Sequence, residues 1–318
     1  MNNLTKIASI LLLLPALAAC SDSAPSPGQT PETMISLEAA IGPSTRGVIG
    51  SGYAEDLPVC FARQDETGVS SGSYGVWRTC PAIRTGGQGN RPIVFAEAQW
   101  YGLDGRSTHL HGYYPSGDVT AVDAQTGKVT FTIDGKTDIM ATGCLAATAY
   151  QPVRTCTFRH LLTQVALACY SDRAEQWGAV TRIEAVDIRT AQQLDWQSET
   201  PRLAGALDGP VGNMAVQDID GLPLVQVDEG EDLPEAQGYI LLPVPESGGT
   251  VQLAVTTTKD GKGTETATVT LVAVTVEGGF QSGKRHVVSL FFTDGSKIQA
   301  TSVGVKQWTE QDAGEIPI

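Results

Sequence analysis

Apolar and polar residues alternate in short runs along this chain, and almost nowhere do they recur at the spacing of an amphipathic helix. Ile35, Leu37, Ala39 and Ile41 alternate with Ser36, Glu38, Ala40 and Gly42, the period of a strand with one face buried. The same pattern runs through 128–133, 251–255 and 286–292. Each run is followed by an Asp-Gly pair (Asp134-Gly135, Asp260-Gly261, Asp294-Gly295), the punctuation of hairpins. Strands at this spacing, with no helices between them, predict an all-β protein of antiparallel β-sandwiches. The 318 residues suffice for two such domains. All the cysteines precede Ser171, and Val, Thr and acidic loops such as 228–232 prevail afterwards. That shift divides the chain into domains at 35–173 and 174–318.

The first residues follow a different rule. Lys6 precedes an apolar stretch from Ile7 to Leu14, and Leu17-Ala18-Ala19 leads to Cys20. This is the form of a secretory signal at 1–19, too short to span a membrane, with the Cys20 thiol as the expected lipid acceptor. Ser21, not Asp, follows the cysteine, which favours the outer membrane over inner-membrane retention. Residues 20–34 are rich in Pro, Ser and Thr with little to bury, and read as a lipidated tether. The formal charge of −14 repels phosphate backbones, and no basic stripe offsets it, so nucleic acid is not expected as a partner.

Candidate chemistry is sparse. Beyond Cys20 stand five cysteines, so at most two bridges can form. Spacing leaves connectivity open; the pairs expected here are Cys60 with Cys80 and Cys144 with Cys156. Cys169, in phase with Val165 and Leu167, would remain a free thiol packed as a small hydrophobe. His109 and His111 would point to one side of a strand, but no third ligand stands nearby in sequence, and no metal or other cofactor is expected. His160 is expected to hydrogen-bond within the first domain. Gly68-Val69-Ser70-Ser71-Gly72 matches a nucleophile-elbow string without its strand-to-helix setting, and Asp218-Ile219-Asp220-Gly221 is too short for a calcium loop. The chain is read as a non-enzyme.

Scattered landmarks then fall in one order: Thr45-Arg46 after a strand, His111-Gly112-Tyr113-Tyr114-Pro115 at a strand end, and Thr137-Asp138-Ile139-Met140-Ala141 after a turn. Phe158-Arg159-His160-Leu161-Leu162, Leu241-Leu242-Pro243, Gly283-Lys284 and Trp308 follow. Together with the lipoprotein start they resemble the fimbrillin family, the Mfa/FimA-like pilus subunits of Bacteroidetes. The additional cysteines and the His111-Gly112 pair depart from that family's pattern. The resemblance implies two transthyretin-like domains and an adhesion role in a cell-surface fimbrium. It also implies export as a lipoprotein, cleavage after an arginine by a trypsin-like protease, and polymerisation with other fimbrial subunits by strand exchange.

The residues supply a physical version of that sequence of events. Arg46 lies just past the alternating strand, among Pro and Gly residues that favour an irregular, protease-accessible backbone. A cut there would detach Ile35, Leu37, Ala39 and Ile41 together with the lipid, exposing an apolar groove and an unpaired edge, a template for another chain's strand. The region from Thr301 to Ile318 could donate such a strand or complete its own sheet; the pattern leaves both open. If Arg46 is an ordinary loop residue, an uncut anchor or tip subunit is favoured. The competing function is a monomeric outer-membrane lipoprotein that binds glycan or protein ligands.

Overall fold

The structure, a computed structural model, describes residues 33–42, 49–68, 72–116, 122–196, 200–205, 209–245, 249–294 and 297–307. The first half supplies β1 (Leu37–Ile41), β2 (Leu57–Asp65), β3 (Arg78–Arg84), β4 (Arg91–Phe95) and β5 (Thr108–Tyr114). β6 (Val129–Thr132), β7 (Met140–Ala141), β8 (Leu145–Ala147) and β9 (Thr155–His160) follow. β2 pairs with β3, β3 with β4, β4 with β1, β1 with β9, β9 with β7 and β7 with β5. β5 then returns to β2, so these strands close a ring of hydrogen bonds, with β8 attached outside it on β5. Closure leaves few unpaired edges. Leu37, Val59, Phe61, Ile93, Leu110 and Phe158 belong to its buried core. Gly112 lies opposite Phe61, where a Cβ would sit 2.9 Å from ring atoms of both Phe61 and Phe158. The absent side chain makes room for those rings, which accounts for the unusual glycine before Tyr113.

The second half supplies β10 (Thr163–Ser171), the short helix α1 (Ala174–Trp177), β11 (Ala179–Arg189), β12 (Ala191–Asp195), β13 (Arg202–Gly205) and β14 (Val211–Ala215). β15 (Leu222–Pro223), β16 (Val225–Gln226), β17 (Gly238–Leu242), β18 (Thr250–Thr257), β19 (Thr268–Thr275), β20 (Lys284–Thr293) and β21 (Lys297–Gln307) complete it. One sheet runs β16-β10-β20-β21 with β17 also on β10; the other runs β14-β11-β18-β19 with β15 on β11. Leu167, Ile183, Leu253, Leu290 and Phe292, drawn from both sheets, share one buried core with Trp177. The Trp177 indole donates to the Thr293 carbonyl at 3.1 Å.

The two units are joined by a continuing strand. Only Thr190 separates β11 from β12, and β12 carries the chain onto β6 of the first half. Beyond β12, Trp196 stacks on His111 at 4.8 Å and lies 5.9 Å from Trp77. Cys60, Ala62 and Tyr113 thereby join the same apolar cluster as the second unit's sheets.

The all-β expectation holds, with several differences. Pairing is mostly antiparallel, but β1–β9, β10–β16 and β10–β20 are parallel. Alternation reports which face is buried, not the direction of a partner distant in sequence. β10, which precedes the expected division at 173/174, pairs with β17 and β20 of the second sheet system. The run at 128–133 does turn at Asp134, whose carboxylate accepts from the Lys136 and Thr137 amides, but β6 pairs with β12 rather than forming a hairpin.

The expected disulfides are corrected as well. Cys80 faces Phe61 across β2–β3 while Cys60 faces Pro81, one register step apart, so the two thiols point to opposite faces of the sheet. Cys144 is exposed between β7 and β8, whereas Cys156 is buried beside Ala39. Cys60, Cys80, Cys144, Cys156 and Cys169 are all free thiols.

Candidate functional site

The site is the slot that β1 fills. Ile35, Leu37, Ala39 and Ile41 are 4%, 2%, 0% and 4% exposed, so each alternate position predicted from the sequence lies in the core. The intervening Glu38 is exposed. On one side β1 runs antiparallel to β4, with Leu37 opposite Ile93 and Ala39 opposite Arg91. On the other it runs parallel to β9, with Ala39 opposite Cys156 and Ile41 opposite Phe158. It is therefore an interior member of the ring, not an edge strand. Burial of each Ile or Leu is worth roughly 1.5–3 kcal/mol, and withdrawing β1 would also strip partners from β4 and β9 together.

The two ends of the strand are held differently. Before it, the Ile35 amide donates to Gln99 at 2.8 Å and Met34 bridges to Trp100. At its far end pairing with β4 stops at Ala39, and side chains take over. Arg84, wholly buried, donates through Nε to the Ala39 carbonyl at 2.9 Å and through its terminal nitrogens to the carbonyls of Thr85, Gly87 and Gly89. Burial, and then the neighbouring Arg91, shift its pKa downward. On the β9 side the Gly42 amide donates to Phe158 at 2.8 Å, and the Gly42 carbonyl lies 3.1 Å from Nε2 of His160. Nδ1 of His160 is 2.5 Å from Oδ2 of Asp138, and both side chains are 2% exposed. His160 does bond within the first unit, as expected.

Sequence reasoning missed Arg84 and the Asp138–His160 pairing. Arg84 continues the inward phase of Cys80 and Ala82, an available sign that a cation sits inside. Asp138 and His160 each lie within a sequence landmark, but a separation of 22 positions hides the contact. Arg46, Cys20, the signal peptide and the tether up to residue 32 lie outside the described residues, as do Ser70 and Trp308. His109 and His111 are otherwise engaged: the hydroxyl of Tyr74 lies 3.3 Å from His109 Nε2, and His111 packs against both Trp77 and Trp196. Among the described residues no three His, Cys, Asp or Glu side chains are grouped to hold a metal. Burial pushes the Cys156 and Cys169 thiols up to about 12, the behaviour of packed hydrophobes rather than nucleophiles. At the far end of the chain, β21 pairs with β20, so 301–307 completes its own sheet.

Comparison with solved structures adds the fold's relatives. A candidate cell adhesion protein from Bacteroides uniformis aligns with 90% of this chain and 100% of its own, at 13% identity and a TM-score of 0.53. Another from Bacteroides ovatus aligns with 89% of this chain and 100% of its own, at 12% identity and a TM-score of 0.55. A fimbrial protein from Bacteroides vulgatus, at 12% identity and a TM-score of 0.44 over 86% of this chain and 99% of its own, is too distant to carry weight. No protein-family profile matches the chain, and none of the curated proteins does. The resemblance drawn from the sequence is borne out at the level of fold: this chain shares its architecture with candidate cell adhesion proteins of the genus Bacteroides.

Proposed function

We propose that this protein is a structural subunit of an adhesive cell-surface fimbrium, made as a precursor lipidated at Cys20 and held at the outer membrane. A trypsin-like protease cuts after Arg46, β1 leaves with the lipid, and a strand from a neighbouring subunit takes its place. The observation that carries this reading is that β1 is an interior strand whose Leu37, Ala39 and Ile41 side chains are all buried. Its departure opens a slot that only another strand can refill, in backbone and side chain alike. One copy's strand entering another copy's slot is a heterologous contact, which grows an open filament rather than a closed dimer. The shared fold with candidate adhesion proteins supports a surface role.

One observation favours the competing reading, a monomeric surface lipoprotein that binds glycan or protein ligands. β21 is hydrogen-bonded to β20 along Lys297–Gln307, so a donor strand would have to come from the residues after Gln307. Trimming with a trypsin-like protease separates the two. N-terminal sequencing should find a new end at Gly47, and electron microscopy and unboiled gels should show filaments and a ladder for the native chain but not for Arg46→Ala. A trimmed protein that stays monomeric at high concentration supports the second reading and rejects the first.

A further inference from the structure

Gly42 is the last residue of β1's ladder, and its carbonyl is gripped by a side chain whose other nitrogen faces a buried carboxylate. The geometry points to a proton-dependent latch: Asp138 and His160 hold the carboxyl end of β1 only while the pair keeps its shared proton. A carbonyl can only accept, so Nε2 of His160 must carry a hydrogen to bond Gly42. Nδ1 and Asp138 Oδ2, 2.5 Å apart, then need a second proton between them, on either atom. Removing that proton leaves one hydrogen on the ring and two acceptors facing it. If the hydrogen stays on Nε2, two lone pairs confront one another at Nδ1; if it moves to Nδ1, the Gly42 carbonyl is released. Both side chains are almost fully buried, and Asp138 Oδ1 has no hydrogen-bond partner, so the carboxylate gains little from elsewhere.

The latch sits where the strand is otherwise weakest, because pairing with β4 has ended at Ala39 and the residues toward Arg46 begin. Among the other groups, Tyr114 on β5 feels Asp138 and then Tyr53, and Tyr53 feels Glu55; burial is the main cause raising both phenols above 10. His109, His111 and His286 are shifted below 6.5 by burial, and the cations Arg159 and Lys284 adjoin His160 and Gly283 along the chain. The Asp138–His160 proton is therefore the one whose loss acts directly on β1. That rising pH loosens β1 stands on this geometry; that loosening primes exchange rests on the function proposed above.

The test is amide exchange of the untrimmed protein at Ala39–Gly42, corrected for intrinsic rates and referenced to β18. As pH is raised across the range in which the protein stays folded, these amides should accelerate by about tenfold or more relative to the reference, the effect of losing a charge-assisted hydrogen bond. In Asp138→Asn the amide group can donate to Nδ1 while Nε2 still donates to Gly42, so the acceleration should vanish with β1 still protected. The double variant Asp138→Leu with His160→Phe, which removes both charges together, should exchange fast at every pH. An acceleration that persists in Asp138→Asn, or is missing from the native protein, overturns the latch. If the double variant does not fold, the other two comparisons decide. A working latch in a chain that never polymerises after trimming rejects the filament reading alone, and a polymerising chain without the pH response rejects the latch alone.

Discussion

His111 shows most plainly what the structure adds to a residue name. From the sequence it was half of a histidine pair; in the fold it is 4% exposed, packs against two tryptophan rings, and its Nδ1 has no hydrogen-bond partner. Burial, and then His109, lower its pKa to about 4. An unfolded histidine titrates near 6.5, so between those values the unfolded state binds more protons, and stability falls as pH drops from about 6.5 to about 4, by roughly 3 kcal/mol at most. Urea unfolding should show His111→Phe losing less stability than the native protein between pH values of about 7 and about 4.5. An equal loss would mean that carboxylates alone set the acid limit. The cysteines show the limit of reading single residues: Cys60 and Cys80 sit on paired strands, yet one step of register turns their thiols away from each other. Register was not legible because the alternation breaks down in β2, where both faces are buried from Val59 to Ala62.

At the scale of elements, the strand ahead of Arg46 was legible in every alternate residue because one of its faces is exposed and the other buried. Its neighbours were not legible: β9 lies more than a hundred residues downstream, and nothing local marks a parallel partner. β10 was legible as a strand but its partners were not, since it is buried almost throughout and its pattern names no side. β1 makes a prediction that depends on processing. Leu37→Ala should destabilise the untrimmed protein by about 2–5 kcal/mol, as expected for a buried leucine, and leave the protein trimmed at Arg46 unchanged, because Leu37 has gone. Thermal or urea unfolding of both forms checks this. An effect that survives trimming would show that residues 35–42 stay in place after the cut.

As a whole, the molecule couples a closed ring to a two-sheet unit through β12 and a stacked aromatic cluster, so the slot that β1 fills lies within a framework tied to the rest of the core. Alternation of apolar and polar residues made the all-β class legible, and hairpin punctuation located β18–β19 and β20–β21. Ring closure was not legible, because it depends on contacts between segments whose order in space no local pattern records. The formal charge of −14 opposes casual aggregation, so assembly should depend on the specific slot rather than on general adhesiveness. Determining the structure of the protease-trimmed assembly addresses this most directly. A strand of a neighbouring subunit should lie between β4 and β9, its side chains in the positions of Leu37, Ala39 and Ile41. Finding the subunit's own residues 35–42 still there, or subunits joined through another surface with that slot unfilled, would contradict strand exchange.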